Sequence, residues 1–189
     1  QDCTGGSYAP VARTSECSIC EAGKYSLVGA TACINCAPGK FQNTTEQSSC
    51  DDCSIGSYAP SEGMTACPWC PRGKHGPSLG ISHCVDCGVG TYTDVEGKTI
   101  CFPCESGSYQ PATGQSECTK CEPGKAQPDQ GKTTCAICMI GKYAAVGSQY
   151  CVACAAGRYG DAPQMGACKD CELGKYDDTR IMNSSTDPG

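Results

Sequence analysis

Pairs of cysteines separated by two residues recur along the chain and constrain its fold more than any other feature. Residues 3–10 (CTGGSYAP) keep the register of residues 53–60 (CSIGSYAP), so Cys3 is the second cysteine of a further pair. A fixed period of this kind predicts a tandem array in which each short unit is completed by its neighbours. The ten C-x-x-C pairs begin, at intervals of 16 or 17 residues, at Cys17, Cys33, Cys50, Cys67, Cys84, Cys101, Cys118, Cys135, Cys151 and Cys168.

The composition excludes a conventional hydrophobic core. Leu, Ile, Val and Phe together number 20 of the 189 residues, whereas cysteine alone numbers 21. A chain so poor in large apolar side chains needs covalent closure of its loops to offset its conformational entropy. We therefore predict a small disulfide-rich fold, mostly irregular with short β-hairpins and no helical domain, repeated into an elongated, solenoid-like rod. Because disulfides persist in oxidising compartments, the protein is predicted to be secreted, extracellular or at the cell surface.

The residues after each cysteine pair predict one hairpin per repeat. A glycine three residues after each pair, such as Gly23 or Gly56, permits a positive φ where the chain leaves the cysteines. The Lys/Ser/Thr–aromatic stretch that follows suits a short strand, and a second glycine suits the return turn. The predicted array of about eleven repeats of about 17 residues covers residues 3–176, and residues 177–189 are predicted to be a polar tail or linker.

Two disulfide pairings are compatible with this spacing. The simpler one is a ladder that joins the second cysteine of each pair to the first cysteine of the next, and it leaves only Cys171 unpaired or available to another chain. The alternative joins first to first and second to second cysteines of neighbouring pairs, and the sequence leaves both open. The ladder consists of Cys3–Cys17, Cys20–Cys33, Cys36–Cys50, Cys53–Cys67, Cys70–Cys84, Cys87–Cys101, Cys104–Cys118, Cys121–Cys135, Cys138–Cys151 and Cys154–Cys168.

The motif C-x-x-C-x-x-G-[K/S/T]-[Y/F], followed by G-x-[S/T]-x-C before the next pair, resembles the ephrin-receptor-type cysteine-rich repeat. That repeat is tumour-necrosis-factor-receptor-like and EGF-like in style. The resemblance covers residues 3–176 and implies an elongated extracellular array without a common catalytic residue or ligand pocket. Long uninterrupted arrays of this type are typical of large surface proteins of protists and algae, including components of flagellar hairs.

Other motifs are outweighed by the repeat. The spacing C-x2-C-x12-C-x2-C approaches that of a zinc ribbon, but the unbroken register through a half-pair favours disulfides. Residues 67–70 (CPWC) are similar to a redox motif, yet they form one of ten equivalent pairs. His75 occupies an aromatic slot, and the chain has only one other histidine, His83, so no catalytic site, metal site or cofactor is predicted. The acidic pairs Asp51-Asp52 and Asp177-Asp178 are predicted to be solvated.

The remaining features concern the surface. The sequons at Asn43 and Asn183 predict N-linked glycans. A net charge of −6 without a basic cluster argues against nucleic acid as a partner. The sequence contains no run of about 20 apolar residues, so no membrane span is predicted. The aromatic slots, from Tyr8 to Tyr176, are predicted to pack over disulfides, with an adhesive stripe as the alternative.

A uniform array of this kind favours a structural role. We predict that the chain is not an enzyme but an extracellular protomer or rigid spacer of a filament assembled head to tail. Its expected partners are further copies of itself or other extracellular proteins. The alternative is a ligand-binding or adhesive receptor ectodomain stalk, for which a distinctive surface patch is expected.

Overall fold

The computed structural model describes residues 2–11 and 16–172. The predicted tail at residues 177–189, Asp177-Asp178, Tyr176 and Asn183 lie outside these residues. Within them the chain forms short antiparallel hairpins and contains no helix. The predicted disulfide-rich fold of repeated hairpins without a helical domain is confirmed for the described residues.

Eighteen strands of two residues each pair with their neighbours in sequence, β1 with β2 through β17 with β18. A further hairpin is held by an isolated antiparallel bridge between Ser57 and Trp69. The strands are β1 Ser7–Tyr8, β2 Ser18–Ile19, β3 Lys24–Tyr25, β4 Ile34–Asn35, β5 Lys40–Phe41, β6 Asp51–Asp52, β7 Lys74–His75, β8 Val85–Asp86, β9 Thr91–Tyr92, β10 Phe102–Pro103, β11 Ser108–Tyr109, β12 Thr119–Lys120, β13 Lys125–Ala126, β14 Ala136–Ile137, β15 Lys142–Tyr143, β16 Val152–Ala153, β17 Arg158–Tyr159 and β18 Lys169–Asp170.

The hairpin register follows from the motif. The second strand is always the x-x segment of a C-x-x-C pair, so one cysteine precedes it and the other follows it. We call the first cysteine of each pair the outer cysteine and the second the inner cysteine. The slot aromatic lies opposite the residue after the outer cysteine, as in Tyr25 opposite Ile34. The residue before the aromatic lies opposite the residue before the inner cysteine, as in Lys74 opposite Asp86.

Ten disulfides close the hairpins. Each joins the inner cysteine that begins a repeat to the outer cysteine that ends it, at a sequence separation of 13 or 14. These are the pairs of the ladder, from Cys3–Cys17 to Cys154–Cys168. In the chain-entropy model, closing a loop of this length restricts the unfolded chain and stabilises the folded state by roughly 3 kcal/mol per disulfide.

The buried interior is a column of cysteines and small or polar residues. Eight inner cysteines, from Cys20 to Cys138, are 0% exposed. The residue after the slot is also buried in nine described repeats, although its chemistry varies from repeat to repeat; in the first repeat, Ala9 is half-buried. The slot aromatics themselves are only half-buried, so they are not the core of the repeat. The buried residues that follow the slot are Ser26, Gln42, Ala59, Gly76, Thr93, Gln110, Gln127, Ala144 and Gly160.

The chain divides into two compact units that are built from the same repeat. One comprises Gln1–Cys87, Thr93–Cys101 and Gly114–Ser116, and it contains β1 to β8 and the bridge of Ser57 and Trp69. The other comprises Gly88–Tyr92, Phe102–Thr113 and Glu117–Gly189, and it contains β9 to β18. Each unit therefore holds five hairpins among the described residues.

Candidate functional site

Main-chain hydrogen bonds join each hairpin to the next, and these junctions are the most regular feature of the molecule. Gly23, which follows its cysteine pair, donates its N–H to the carbonyl of Gln42 at 2.7 Å. Ser26, which follows the slot aromatic, donates to the carbonyl of Gln47 at 3.2 Å, and Glu46 donates to the carbonyl of Cys20 at 2.9 Å. Three N–H groups are thereby satisfied by main-chain carbonyls alone. These three hydrogen bonds therefore do not depend on which side chains their residues carry.

The same three bonds recur at all nine junctions between described repeats. Their N···O distances lie between 2.7 and 3.4 Å, and every bond lies within one of the two compact units. In the repeat that begins at Cys104, for example, Gly107 donates to Gln127, Gln110 donates to Lys132, and Gly131 donates to Cys104. Each repeat therefore presents a different set of donors and acceptors to the repeat before it and the repeat after it.

A second contact reaches the repeat after next. The glycine that follows each pair is called here the pair glycine, and Gly6 is its counterpart in the first repeat. In the described residues it has a positive φ. From Gly6 to Gly124 it also faces a carbonyl two repeats further on, whereas Gly141 and Gly157 have no atom within 4 Å of an added Cβ. A Cβ added to Gly73 would lie 2.1 Å from the carbonyl oxygen of Gly114, and one added to Gly39 would lie 2.0 Å from that of Gly80. Side chains do not tolerate such distances, so the close approach requires glycine. The array is held by contacts to both the next repeat and the one after it.

Three buried glutamines brace the loop of their own repeat. Gln110 donates from Nε2 to the carbonyl of Glu117 at 2.7 Å and accepts the N–H of Ala112 on Oε1 at 3.1 Å. Gln42 and Gln127 make the equivalent pairs of bonds. Sequence reasoning missed this role, although the recurrence of glutamine directly after the slot was visible as a signal.

Lysines that precede the slot aromatic form ion pairs within their own hairpins. Lys40 contacts Asp52 at 2.6 Å, Lys74 contacts Asp86 at 2.7 Å, and Lys125 contacts Glu122 at 2.8 Å. The hydrogen bond from Lys125, aided by its charge, lowers the pKa of Glu122 below its ordinary value. Exposed pairs of this kind contribute little to stability. Asp51 and Asp52 are exposed, and Asp52 serves as the ion-pair partner of Lys40.

Comparison with family models identifies the repeat. The model described as tyrosine-protein kinase ephrin type A/B receptor-like matches residues 23–63, 45–82 and 56–100. Residues 23–100 are thus similar to the ephrin-receptor-like repeat, and they make up less than half of the chain. The predicted resemblance is confirmed, and the ten regularly spaced disulfides show the same cysteine-rich repeat on both sides of that segment. A search of curated proteins finds no significant match.

The ephrin-receptor-like repeats bear on location and class. Together with the disulfides, they indicate an extracellular or surface location. The matched family is a receptor-like repeat and not an enzyme family. None of the described residues form a helix of sufficient length and apolar character to cross a membrane.

Some slot aromatics share grooves with the outer cysteine of the following repeat. Tyr25 lines one groove with Cys50, and Tyr109 lines another with Cys135. Each half-buried ring thus lies near the disulfide of its neighbour, in partial agreement with the predicted packing. Where histidine fills the slot, the Nδ1 of His75 lies 3.2 Å from the Sγ of Cys101.

The remaining predicted site residues are dispersed. Asn43 is exposed beside a groove that Phe41 and Trp69 also line. Cys171 is half-buried and is the free cysteine among residues 2–11 and 16–172. His83 is exposed, and its Nδ1 lies 3.1 Å from the Oγ of Ser82. The structure does not bring these residues together, so the repeated junction is the best candidate for the functional feature.

Proposed function

We propose that the chain is an extracellular structural array, which serves as a rigid spacer or as the protomer of a filament assembled head to tail. The observation that carries the proposal is the set of three main-chain bonds that recurs at every junction. Selection for a ligand pocket would not require this constancy, whereas transmission of one geometry along an array would. In this proposal, residues 3–176 form one array and residues 177–189 a linker.

The junction chemistry also supports head-to-tail assembly. Each repeat donates from its pair glycine and from the residue after its slot, and accepts at its inner cysteine, always toward the following repeat. Two copies of the same surface would not be complementary, but the leading surface of one chain matches the trailing surface of another. Contacts between such different surfaces propagate into a helical filament unless the rotation closes a ring.

Self-association of the oxidised full-length protein tests the proposal. Light scattering at rising concentration should show growth beyond the monomer, and negative-stain electron microscopy should show filaments. A variant without residues 172–189 should lose the filaments while it keeps its ten disulfides. If both proteins remain monodisperse monomers at high concentration, the filament is wrong and an ectodomain stalk is the better model.

Cys171 offers a covalent readout of the same assembly. In this proposal it is unpaired or joined to another chain, so non-reducing gels of associated protein should show a dimer that Cys171→Ser abolishes. Filaments that form equally well with Cys171→Ser would place the contact in the main-chain junction. The ladder pairing itself is open to peptide mapping without reduction, where Cys70 joined to Cys84 is expected. Recovery of Cys67 joined to Cys84 would establish the alternative pairing.

A ligand-binding or adhesive ectodomain is the second candidate, and one surface patch favours it. The repeat that begins at Cys138 exposes Met139 at 71%, Ile140 at 59% and Tyr150 at 63%, with Val146 and Val152 also exposed. Clustered apolar residues of this kind are typical of partner surfaces. Under this alternative, Ile140→Ser should lower binding of the chain to cell surfaces without changing its state of association.

N-linked glycosylation is proposed at Asn43 and Asn183. The exposure of Asn43 leaves room for a glycan on a repeat that has no large core to disturb. The intact mass of protein from the native source should fall on treatment with peptide N-glycosidase. An unchanged mass would remove both sites from the proposal.

A further inference from the structure

The imidazole of His75 lies against a disulfide. Its Nδ1 is 3.2 Å from the Sγ of Cys101, which is bonded to Cys87. A disulfide sulfur carries no proton, so in this contact Nδ1–H is the donor and the sulfur is the acceptor. A hydrogen-bond donor at this position is able to stabilise the thiolate of Cys101 when that sulfur is released, which favours complete opening over reclosure by Cys87.

The two sulfurs of this disulfide differ in access. Cys87 is fully buried, whereas Cys101 is half-buried. The Sγ of Cys87 lies 3.9 Å from the Oγ1 of the buried Thr93. One ligand atom each from His75, Cys87 and Cys101 lies within 4.8 Å of the others. A small thiol therefore reaches Cys101 first, and polar groups surround the thiolate that results.

We propose that Cys87–Cys101 is a thiol-responsive disulfide, and that its opened cysteines form a binding site for a soft metal cation together with His75. The reductant is a low-molecular-weight thiol. The closed disulfide binds no cation, because its sulfurs have no free thiolate to offer. Opening of the bond is thus the step that creates the site.

The opening follows ordinary thiol–disulfide exchange. A first thiolate attacks the Sγ of Cys101, which forms a mixed disulfide there and releases Cys87 as a thiolate. A second thiolate attacks the external sulfur of the mixed disulfide, which releases Cys101 as a thiolate beside the Nδ1–H of His75. Two thiols are oxidised to one external disulfide, and Cys87 and Cys101 take up the two electrons.

The opened site has the donors that a thiophilic cation prefers. Two thiolates and one imidazole correspond to a Cys2His set with one position left for water, which suits Zn²⁺ or Cu⁺. Thr93 lies outside the ligand set and is near enough to orient the Cys87 sulfur. Elsewhere in the described residues, no further group of three such donors lies equally close.

The repeat itself supplies the reason why this disulfide differs from its neighbours. In the other described repeats the slot holds an aromatic without nitrogen or, in one repeat, Ala126. Phe41 lines a groove with Cys67, and Tyr109 lines one with Cys135. The exposure of the cysteines is otherwise similar, since Cys84 and Cys118 are half-buried like Cys101. The imidazole is therefore the variable that an experiment can change.

Limited reduction of the oxidised full-length protein tests the first step. After brief exposure to a low concentration of dithiothreitol, alkylation and peptide mass spectrometry should label Cys87 and Cys101 about tenfold faster than Cys70 and Cys84. His75→Tyr restores the usual slot residue and should remove the difference. Equal labelling rates in the wild type, or an unchanged preference in His75→Tyr, would overturn the proposal.

A transplanted histidine separates the role of the imidazole from a loss of stability. By register, Tyr92 occupies the slot beside Cys118, so Tyr92→His should accelerate labelling of Cys104 and Cys118 by a similar factor. A structural weakness at His75 would not be transferred in this way. His83→Tyr changes an exposed imidazole without a disulfide contact and should leave every rate unchanged. Failure of Tyr92→His to accelerate its own pair would reject the imidazole as the cause.

Titration with Co²⁺ as a spectroscopic substitute for Zn²⁺ tests the second step. Protein reduced only at Cys87 and Cys101 should bind one equivalent and develop a thiolate-to-metal absorption band, which chelator removes. The oxidised protein and reduced His75→Tyr should not develop the same band. Absence of the band in the reduced wild type would reject the cation site and leave the thiol-responsive disulfide to be judged by its labelling rates.

Discussion

In the described residues, each repeat from the one that begins at Cys20 to the one that begins at Cys154 contains two turns with a positive φ. The two turns tolerate sequence change very differently. The turn at the pair glycine is occupied by glycine in all ten copies that follow a complete pair, whereas the loop turn carries glycine in only seven. Glu46 and Gln164 adopt positive φ angles of 61° and 60° in the loop turn. A positive φ alone therefore does not explain why the pair position holds glycine in every copy.

The two turns differ in the room that is available for a side chain. At the pair glycine Gly23, an added Cβ would lie 2.2 Å from the main-chain oxygen of Gly63. At the loop glycine Gly131, the nearest atom to an added Cβ is the Cβ of Pro103 at 3.5 Å, which is ordinary contact. Gly23 is therefore required both for its φ and for its close approach to the main chain, while Gly131 is required only for its φ.

Both turns depend on the disulfides that close each hairpin, so complete reduction should produce the largest effect. With so little apolar area to bury, the reduced chain is expected to lose its folded structure, because the unfolded state regains the entropy of ten loops. Near-ultraviolet circular dichroism and amide hydrogen exchange measure the loss. EDTA added to oxidised protein is the control and should change neither signal. Unfolding by EDTA alone would indicate a structural metal instead.

Gly73→Ala tests the pair turn and should be the most damaging single substitution. Its Cβ would meet the carbonyl oxygen of Gly114, and the strained φ adds to the cost, so we expect a loss of about 3–5 kcal/mol. Fluorescence of Trp69, the single tryptophan, follows the guanidinium transition of this part of the chain. Gly141→Ala, at a pair glycine with a φ of +78° and no atom within 4 Å of the added Cβ, is the matched control. Equal midpoints for the two variants would contradict the importance of the close approach.

Gly131→Asn tests the loop turn at the same φ without the close approach. Asparagine tolerates the left-handed region better than other side chains, so the expected loss is about 1 kcal/mol. Hydrogen exchange of the Gly131 neighbourhood, read by mass spectrometry, locates the effect. A loss as large as that of Gly73→Ala would show that φ and not space decides both turns.

Glu46→Gly should reverse the sign of the effect. Relief of the left-handed conformation is partly offset by the greater freedom of glycine in the unfolded chain, so a gain of about 0.5–1 kcal/mol is expected. Gln164→Gly is an independent copy of the same experiment in the other unit. Thermal or guanidinium midpoints that fall in both variants would show that these side chains make compensating contacts.

The smallest effect is expected from the ion pair of Glu122 and Lys125, which spans the pair turn at Gly124. Because the hydrogen bond from Lys125 lowers the folded-state pKa of Glu122, the contribution is present above the unfolded pKa of about 4.3. It is lost as pH falls through the lowered folded value. Glu122→Gln should therefore differ slightly from wild type near neutral pH and not at all in strong acid. A difference that grows on acidification would contradict this sign.

The repeat could be predicted from sequence because its signals are local. The spacing of the cysteines fixes the loop lengths, and the glycine and slot residues fix the hairpin, so the strand at Lys24–Tyr25 and its return at Ile34–Asn35 follow from a few adjacent residues. The family match at residues 23–100 rests on the same local motif. Periodicity compensates here for the absence of a hydrophobic pattern.

The contacts between repeats could not be predicted in the same way. The carbonyl that faces Gly23 belongs to Gly63, two repeats away, and no local sequence pattern predicts a contact at that distance along the chain. The sequence predicts that the slot aromatics pack over the disulfides. The fully buried positions are instead the variable residues that follow them, such as Ser26 and Thr93. Because these residues differ in chemistry, periodic hydrophobicity carries no signal for their burial. The contact between His75 and Cys101 likewise depends on the stacking of one repeat on the next.

Contact with the repeat after next has a consequence for local breathing of the array. In a stack with nearest-neighbour contacts alone, an interior repeat opens by breaking two interfaces. Here the pair glycines from Gly6 to Gly124 also contact a carbonyl two repeats away. Opening of a repeat that has such contacts on both sides therefore exposes surfaces on four other repeats. Opening events are therefore coupled over a longer stretch of chain, and an isolated defect is disfavoured relative to a contiguous one. The correlation between openings extends beyond the next repeat because the pair glycine has no Cβ and so permits contact with the repeat after next.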